Sequence, residues 1–105
     1  MSRINALKSF LDSDPNDSFS RYALALEYVK VRRHDDAVNE FETVKNNDPG
    51  YVATYYQLGK LYQQLGKLHD AEKTFSTGIT AASKINDEHT RSELEAALEE
   101  LLRAG

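Results

Sequence analysis

This 105-residue sequence has no cysteine, only two prolines and only five glycines. The missing cysteine excludes a disulfide frame, a thiolate zinc site and a cysteine nucleophile together. No stretch approaches the roughly 20 consecutive apolar residues of a membrane span. The first residues, MSRINALKSFLDSD, lack the continuous apolar segment of a secretion signal. A basic excess is also missing. Lysine and arginine number 13 against 17 aspartates and glutamates, for a net charge of -4. Phosphate binding needs a basic surface, so a general nucleic-acid binder is not expected. Runs of alternating valine, isoleucine and threonine, the strand signal, do not occur. These absences predict a soluble, cytoplasmic protein with no membrane and no nucleic acid among its partners.

What the chain does have is helix-forming residues. Alanine, leucine, glutamate and lysine are abundant, and each has a high helix propensity. The class is therefore all-α. The length fits a single domain over residues 1–105. A chain of this size buries about two-thirds of its unfolded surface, enough for a core without staples.

In chain order, Ile4, Leu7, Phe10 and Leu11 form an apolar stripe for a short helix that Ser2 can cap. The run from Asp12 to Asp17 is a stop built around Pro15, which biases the residue before it away from helix. Asp17 or Ser18 can cap a helix over about 18–31. Its end is marked by Arg32, Arg33 and His34, cations suited to the negative pole. Asp35 and Asp36 open a third helix at its positive pole, running to about Lys45. Asn46 to Gly50 is a second stop like the first. Leu58, Gly59 and Tyr62 share one helical face, Gly66 marks that helix's end, and Ala71 and Phe75 begin another apolar face.

Sliding the chain against itself by 34 residues places Tyr22 on Tyr56, Leu24 on Leu58 and Tyr28 on Tyr62. The same shift places Asp36 on Asp70, Ala37 on Ala71, Phe41 on Phe75 and Pro15 on Pro49, with no gap. Ala25 falls on Gly59, small on small. A two-helix repeat of this period resembles the tetratricopeptide repeat. Residues 18–51 and 52–85 are identified as two such repeats, flanked by an N-terminal half-repeat helix (1–17) and a C-terminal capping helix (86–105). Two positions depart from the family's pattern. Arg21 stands where a large aromatic is usual, and Gly78 replaces a small alanine. Ser83 stands where a closing proline is usual, so the second helix of that repeat should run longer. In the last segment Leu94, Leu98, Leu101 and Leu102 form one stripe, opposite a face of glutamates. One repeat cannot bury its apolar face alone, and about six helices in three pairs meet that need.

The resemblance implies a right-handed α-α superhelix of antiparallel helix hairpins whose first helices line a concave peptide-binding groove. Carried over position by position, the groove residues are Phe19, Tyr22, Leu26, Val29 and Lys30 in the first repeat. In the second they are Ala53, Tyr56, Lys60, Gln63 and Gln64. The clamp with which some members hold a terminal carboxylate is absent, since Tyr22, Leu26 and Gln57 occupy its positions. Helix 18–31 is apolar on nearly every face, and such a helix is expected to be covered all round. Leu26 and Val29 would be left open by ordinary repeat packing. A terminal helix of the chain, a partner peptide or a second copy could cover them.

Catalytic chemistry is hard to find. His34-Asp35 recurs as His69-Asp70, but adjacent helical residues diverge and no third ligand follows at zinc spacing. The bland reading makes the acids helix caps and the histidines exposed turn residues. His89 stands alone, and Gly59 and Gly66 precede no lysine-serine pair of a phosphate loop. The expectation is a non-catalytic adaptor for an apolar or amphipathic protein segment, with no cofactor and no metal. Lys30 and Lys60 would add a preference for an acidic flank. The rival is a homodimerisation module using the same surface, and the remote alternative is a small hydrolase using the His-Asp pairs.

Overall fold

A computed structural model describes residues 2–104. Met1 and Gly105, inside the bounds expected for the domain, lie outside the described residues. Among the described residues the chain forms six α-helices and no strand. They are α1 Arg3–Ser13, α2 Ser18–Lys30, α3 His34–Asn47, α4 Ala53–Gln64, α5 Leu68–Lys84 and α6 Glu88–Ala104. This is an all-α helical-repeat fold. The helices gather into two compact units, α1 to α3 in the first, which closes at Asp48, and α4 to α6 in the second, which begins at Pro49. None of the described helices is long and apolar enough to cross a membrane.

Side-chain caps start three helices. Ser2 Oγ accepts from the Asn5 amide at 3.1 Å, and Asp17 Oδ2 accepts from the Ser20 amide at 3.0 Å and from the Ser20 hydroxyl. Asp87 accepts from the Thr90 amide at 3.1 Å and the Thr90 hydroxyl at 2.8 Å. Those two bonds favour the carboxylate and hold the Asp87 carboxyl below its usual range. The acids at 35, 36 and 70 do not cap. Arg33 and Lys67 precede α3 and α5 with no side-chain cap, and the acids lie in the first turn, at the positive pole. His34 and His69 lie inside these helices instead of in a turn.

The reason is the way the preceding helix ends. Helix α2 stops at Lys30, and Arg32 turns left-handed at φ 62°. The Arg33 amide then donates to the Tyr28 carbonyl at 2.9 Å, and Arg32 to Val29 at 3.1 Å. Gly66 (φ 77°) repeats this turn, with Lys67 donating to Tyr62 and Gly66 to Gln63. Asn86 (φ 59°) repeats it again. These paired bonds close the last carbonyls of each helix and deliver the chain into the next one almost at once. The Arg33 guanidinium also stacks 4.6 Å over the Tyr28 ring.

In the first unit α2 packs against α1 and α3. Leu11, Leu24, Ala25, Tyr28, Ala37, Phe41 and Val44 form its interior. Only Leu11 of the α1 stripe is fully buried, while Phe10 is half exposed. A helix with one packing neighbour covers a single line of side chains, and residues 10 and 11 point about 100° apart. In the second unit α5 packs against α4 and α6, and α6 also touches α4. Tyr55, Leu58, Phe75 and Leu94 are enclosed at its centre. Along α6 the buried line is Leu94, Ala97 and Leu101, so Leu102, expected on the stripe, points outward. Helix α5 has 17 residues against 14 in its counterpart α3. The Thr54 hydroxyl is buried without a partner, because Tyr51 stands where the first unit has the capping Asp17.

Two glycines let the helices of the second unit approach. A Cβ on Gly59 would overlap the Phe75 ring, with Cδ1 at 2.6 Å and Cζ at 2.8 Å. A Cβ on Gly78 would lie 2.5 Å from Tyr55 Cβ and 2.9 Å from Leu94 Cδ1. Such distances are far inside contact. Gly78→Ala should therefore cost about 1–3 kcal/mol in denaturant unfolding by overpacking, in spite of alanine's better helix propensity. An unchanged or raised midpoint would show that Tyr55 and Leu94 can give way. At the exit from α2 the opposite sign is expected. Arg32→Gly relieves a left-handed non-glycine residue and should raise stability by about 0.5–1 kcal/mol, read as a higher thermal midpoint.

Candidate functional site

Helix α2 carries more apolar surface than its unit encloses. Leu24, Ala25 and Tyr28 are inside, as expected. Leu26 and Val29 are half-buried, and Phe19 is 64% exposed. Tyr22 is half-buried, and its ring meets Phe41 edge-on, with centroids 5.9 Å apart and planes at 61°. It therefore serves the α2–α3 contact as well as the open face. Lys30 is exposed, and its ammonium pairs with Glu27 at 3.2 Å. Glu27 also receives Arg3 of α1 at 3.3 Å. The charge at Lys30 is thus already answered within the unit.

The positions carried to α4 are more polar. Ala53 and Gln64 are exposed, while Tyr56, Lys60 and Gln63 are half-buried. Tyr56 and Lys60 line a cleft of about 200 Å³ with Glu93, Ala96, Ala97 and Glu100 of α6. Two carboxylates share that cleft with Lys60, which weakens its pull on an acidic ligand. The histidines have no common centre: His34 is half-buried, His69 exposed, and His89 exposed 3.6 Å from the Glu93 carboxylate. Among the described residues, no three His, Cys, Asp or Glu side chains converge as a metal site requires.

One pair of clefts lies away from every position expected to bind. In the first unit Arg21 Nη2 donates to the Pro15 carbonyl at 2.8 Å and Nη1 reaches Glu40 at 2.7 Å. In the second unit the Tyr55 hydroxyl donates to the Pro49 carbonyl at 2.7 Å. These are the same repeat positions, 34 residues apart. The guanidinium does the work of the phenol, which explains why the usual aromatic at position 21 can be missing. The two departures at 21 and 78 are also one exchange: Tyr55 faces Gly78, and their repeat counterparts are Arg21 and Val44. A rigid ring needs a glycine opposite it; a flexible arginine leaves room for valine.

The two sites also differ in the space they leave. Around Pro15, Arg21, Val44 and Asn47 the free volume is about 10 Å³. Around Pro49, Tyr55, Ala81, Lys84 and Ile85 it is about 450 Å³. The signal that could have disclosed the difference is the pairing of Gly50 and Ala81 with Asn16 and Asn47 under the same shift.

Known proteins show the same architecture. A family model described as a tetratricopeptide repeat matches residues 52–85. A tetratricopeptide repeat domain protein from Salinibacter ruber, solved by solution NMR, is 41% identical. The match covers 83% of this chain and 88% of that chain, with a TM-score of 0.80. The TPR repeat-containing protein PA0015 of Pseudomonas aeruginosa is 26% identical over 101 residues, 96% of each chain. By contrast, the chain spans 12% of the length of the tetratricopeptide repeat and J domain-containing co-chaperone DNJ1 of Cryptococcus neoformans. The TPR2B domain of yeast Sti1, solved in a complex with pHsp70, is 15% identical. It superposes with a TM-score of 0.88 over 97% of this chain and 82% of that one, a likeness of fold alone.

If Arg21 does the work of the phenol, Arg21→Ala strips the Pro15 carbonyl and Glu40 of their partner. Unfolding in urea should then show a loss of about 1.5–3 kcal/mol, typical of hydrogen bonds to a charged group. A loss below a few tenths would reduce the bridge to an exposed ion pair.

Proposed function

This chain belongs to the tetratricopeptide repeat family, and on that premise we propose that it is a non-catalytic protein-interaction module. Its ligand is an apolar or amphipathic segment of a partner protein, laid along the α2 face formed by Phe19, Tyr22, Leu26 and Val29. The observation that carries this reading is the surplus of apolar surface on α2. Phe19 is 64% exposed while the hairpin core of Leu24, Ala25 and Tyr28 is complete without it. Large exposed aromatics beside half-buried aliphatics are what helix-in-groove recognition uses as anchors. The solved complex of the yeast Sti1 domain supports a role for this fold in holding a protein ligand.

Taken by itself, α4 of the second unit offers a more polar set of positions. Ala53, Tyr56, Lys60, Gln63 and Gln64 offer one aromatic ring, two amides and a lysine already flanked by Glu93 and Glu100. Lys30 is likewise engaged by Glu27. Neither helix face therefore requires an acidic flank on its ligand. Selectivity rests on apolar fit along α2.

The test uses Phe19→Asp combined with Val29→Asp, both outside the enclosed core. Immobilised wild-type protein should capture a defined set of partners from lysate. The double variant should lose at least ten-fold of that capture while its helical circular dichroism stays unchanged. Equal capture by both proteins would place recognition elsewhere. Sedimentation across a concentration series decides the rival occupant: a mass that rises with concentration, and no longer rises in the variant, would give the α2 face to a second copy.

A further inference from the structure

The second unit holds a cleft that its repeat counterpart in the first unit closes, and we propose that this cleft is a binding site for a small amphipathic carboxylate. It is separate from the α2 face. The starting point is the comparison of one position in two copies. Both sites are built where a helix-ending proline passes the second helix of a hairpin, and both have a hydrogen bond to the proline carbonyl, from Arg21 in one and Tyr55 in the other. Packing alone therefore does not require the space, because the first unit achieves the same closure with about 10 Å³ left.

Three changes open the second copy. Asn16 becomes Gly50 and Asn47 becomes Ala81, which removes two polar side chains from the mouth. A Cβ built on Gly50 meets nothing within 4 Å, so the space in front of it is free. The third change is the longer α5. Where the first repeat stops its second helix at Asn47 and closes with Pro49, α5 runs on to Lys84, followed by Ile85. That added turn supplies a wall, with Ile85 half exposed. The resulting volume of about 450 Å³ lies in the range of small-ligand sites, which are mostly apolar with a few placed polar groups.

Charge selects the head group. Pro49, Ala81 and Ile85 make the apolar surface, and Lys84 is the one ionic side chain lining the cleft. Among the described residues Lys84 enters no ion pair, a state it shares with Lys8, Lys60, Lys67 and Lys73; what sets it apart is its place beside an apolar cleft. An unpaired ammonium at the rim of an apolar cleft favours an anion with an apolar tail. Thr77, also at the rim, adds a hydroxyl donor for the second carboxylate oxygen.

The probe is octanoate, titrated into the full chain and followed by methyl NMR, with octylammonium and acetate as controls. Octanoate should shift the methyl signals of Ala81, Ile85 and Thr77 to saturation, and neither control should. Ala81→Asn, which rebuilds the side chain of the closed copy, should weaken binding at least ten-fold. Lys84→Glu should weaken octanoate by a similar factor and let octylammonium bind instead. Shifts that do not saturate, that spread beyond these residues, or that survive Ala81→Asn in a protein with unaltered thermal midpoint would overturn the proposal. A variant that fails to fold would be replaced by Gly50→Asn at the exposed opposite wall, judged by the same ten-fold criterion.

Discussion

The close approach of two helices across a small residue is the constraint on which the second unit rests. Phe75 lies completely enclosed against the backbone of Gly59, and no side chain could stand there. Burying such a ring contributes about 1.5–3 kcal/mol, but only if the helix axes come near enough for the ring to be surrounded. In the first unit Ala25 and Phe41, both fully buried, hold the same offsets. Where Phe75 lies also decides which faces of α4 and α5 are left for α6. Gly78 extends the same device one turn further, where Tyr55 and Leu94 converge on it.

The turns between helices follow from a second, local constraint. Each hairpin reverses through a left-handed residue whose neighbours satisfy the last free carbonyls, and this happens at Arg32, Gly66 and Asn86 alike. Only Gly66 has the residue type that adopts this conformation without strain. The demand to close carbonyls and start another helix at once overrides local preference at Arg32, where the Arg33–Tyr28 stacking adds support. The surfaces proposed for function are those that such packing does not consume. On α2 these are Phe19, Leu26 and Val29. In the second unit they include the cleft beside Tyr55.

Much of the fold was legible without coordinates. Pro15 and Pro49 marked the stops, the 34-residue register paired Leu24 with Leu58 and Phe41 with Phe75, and Ser83 in place of a proline announced a longer α5. Stripes at the chain ends were less legible. Phe10 and Leu102 matched an apolar period yet point outward, because α1 and α6 lack neighbours on that side within their units and periodicity does not say how wide a face is covered. The surplus of α2 was readable from composition, whereas the engagement of Tyr22 with Phe41 and of Lys30 with Glu27 was not.

By itself, then, the sequence determined where helices stop, that they pair in repeats, and which residues at the repeated positions face inward. These depend on backbone preference and on periodicity along a few turns, both local properties. Tertiary structure alone decided that Arg21 replaces a tyrosine hydroxyl, that Gly78 answers Tyr55, and that one repeat site is closed while its copy stands open. Each of those outcomes depends on the volume left when side chains from two or three helices meet. That sum is made across space, between residues far apart in the chain, and no stretch of sequence carries it.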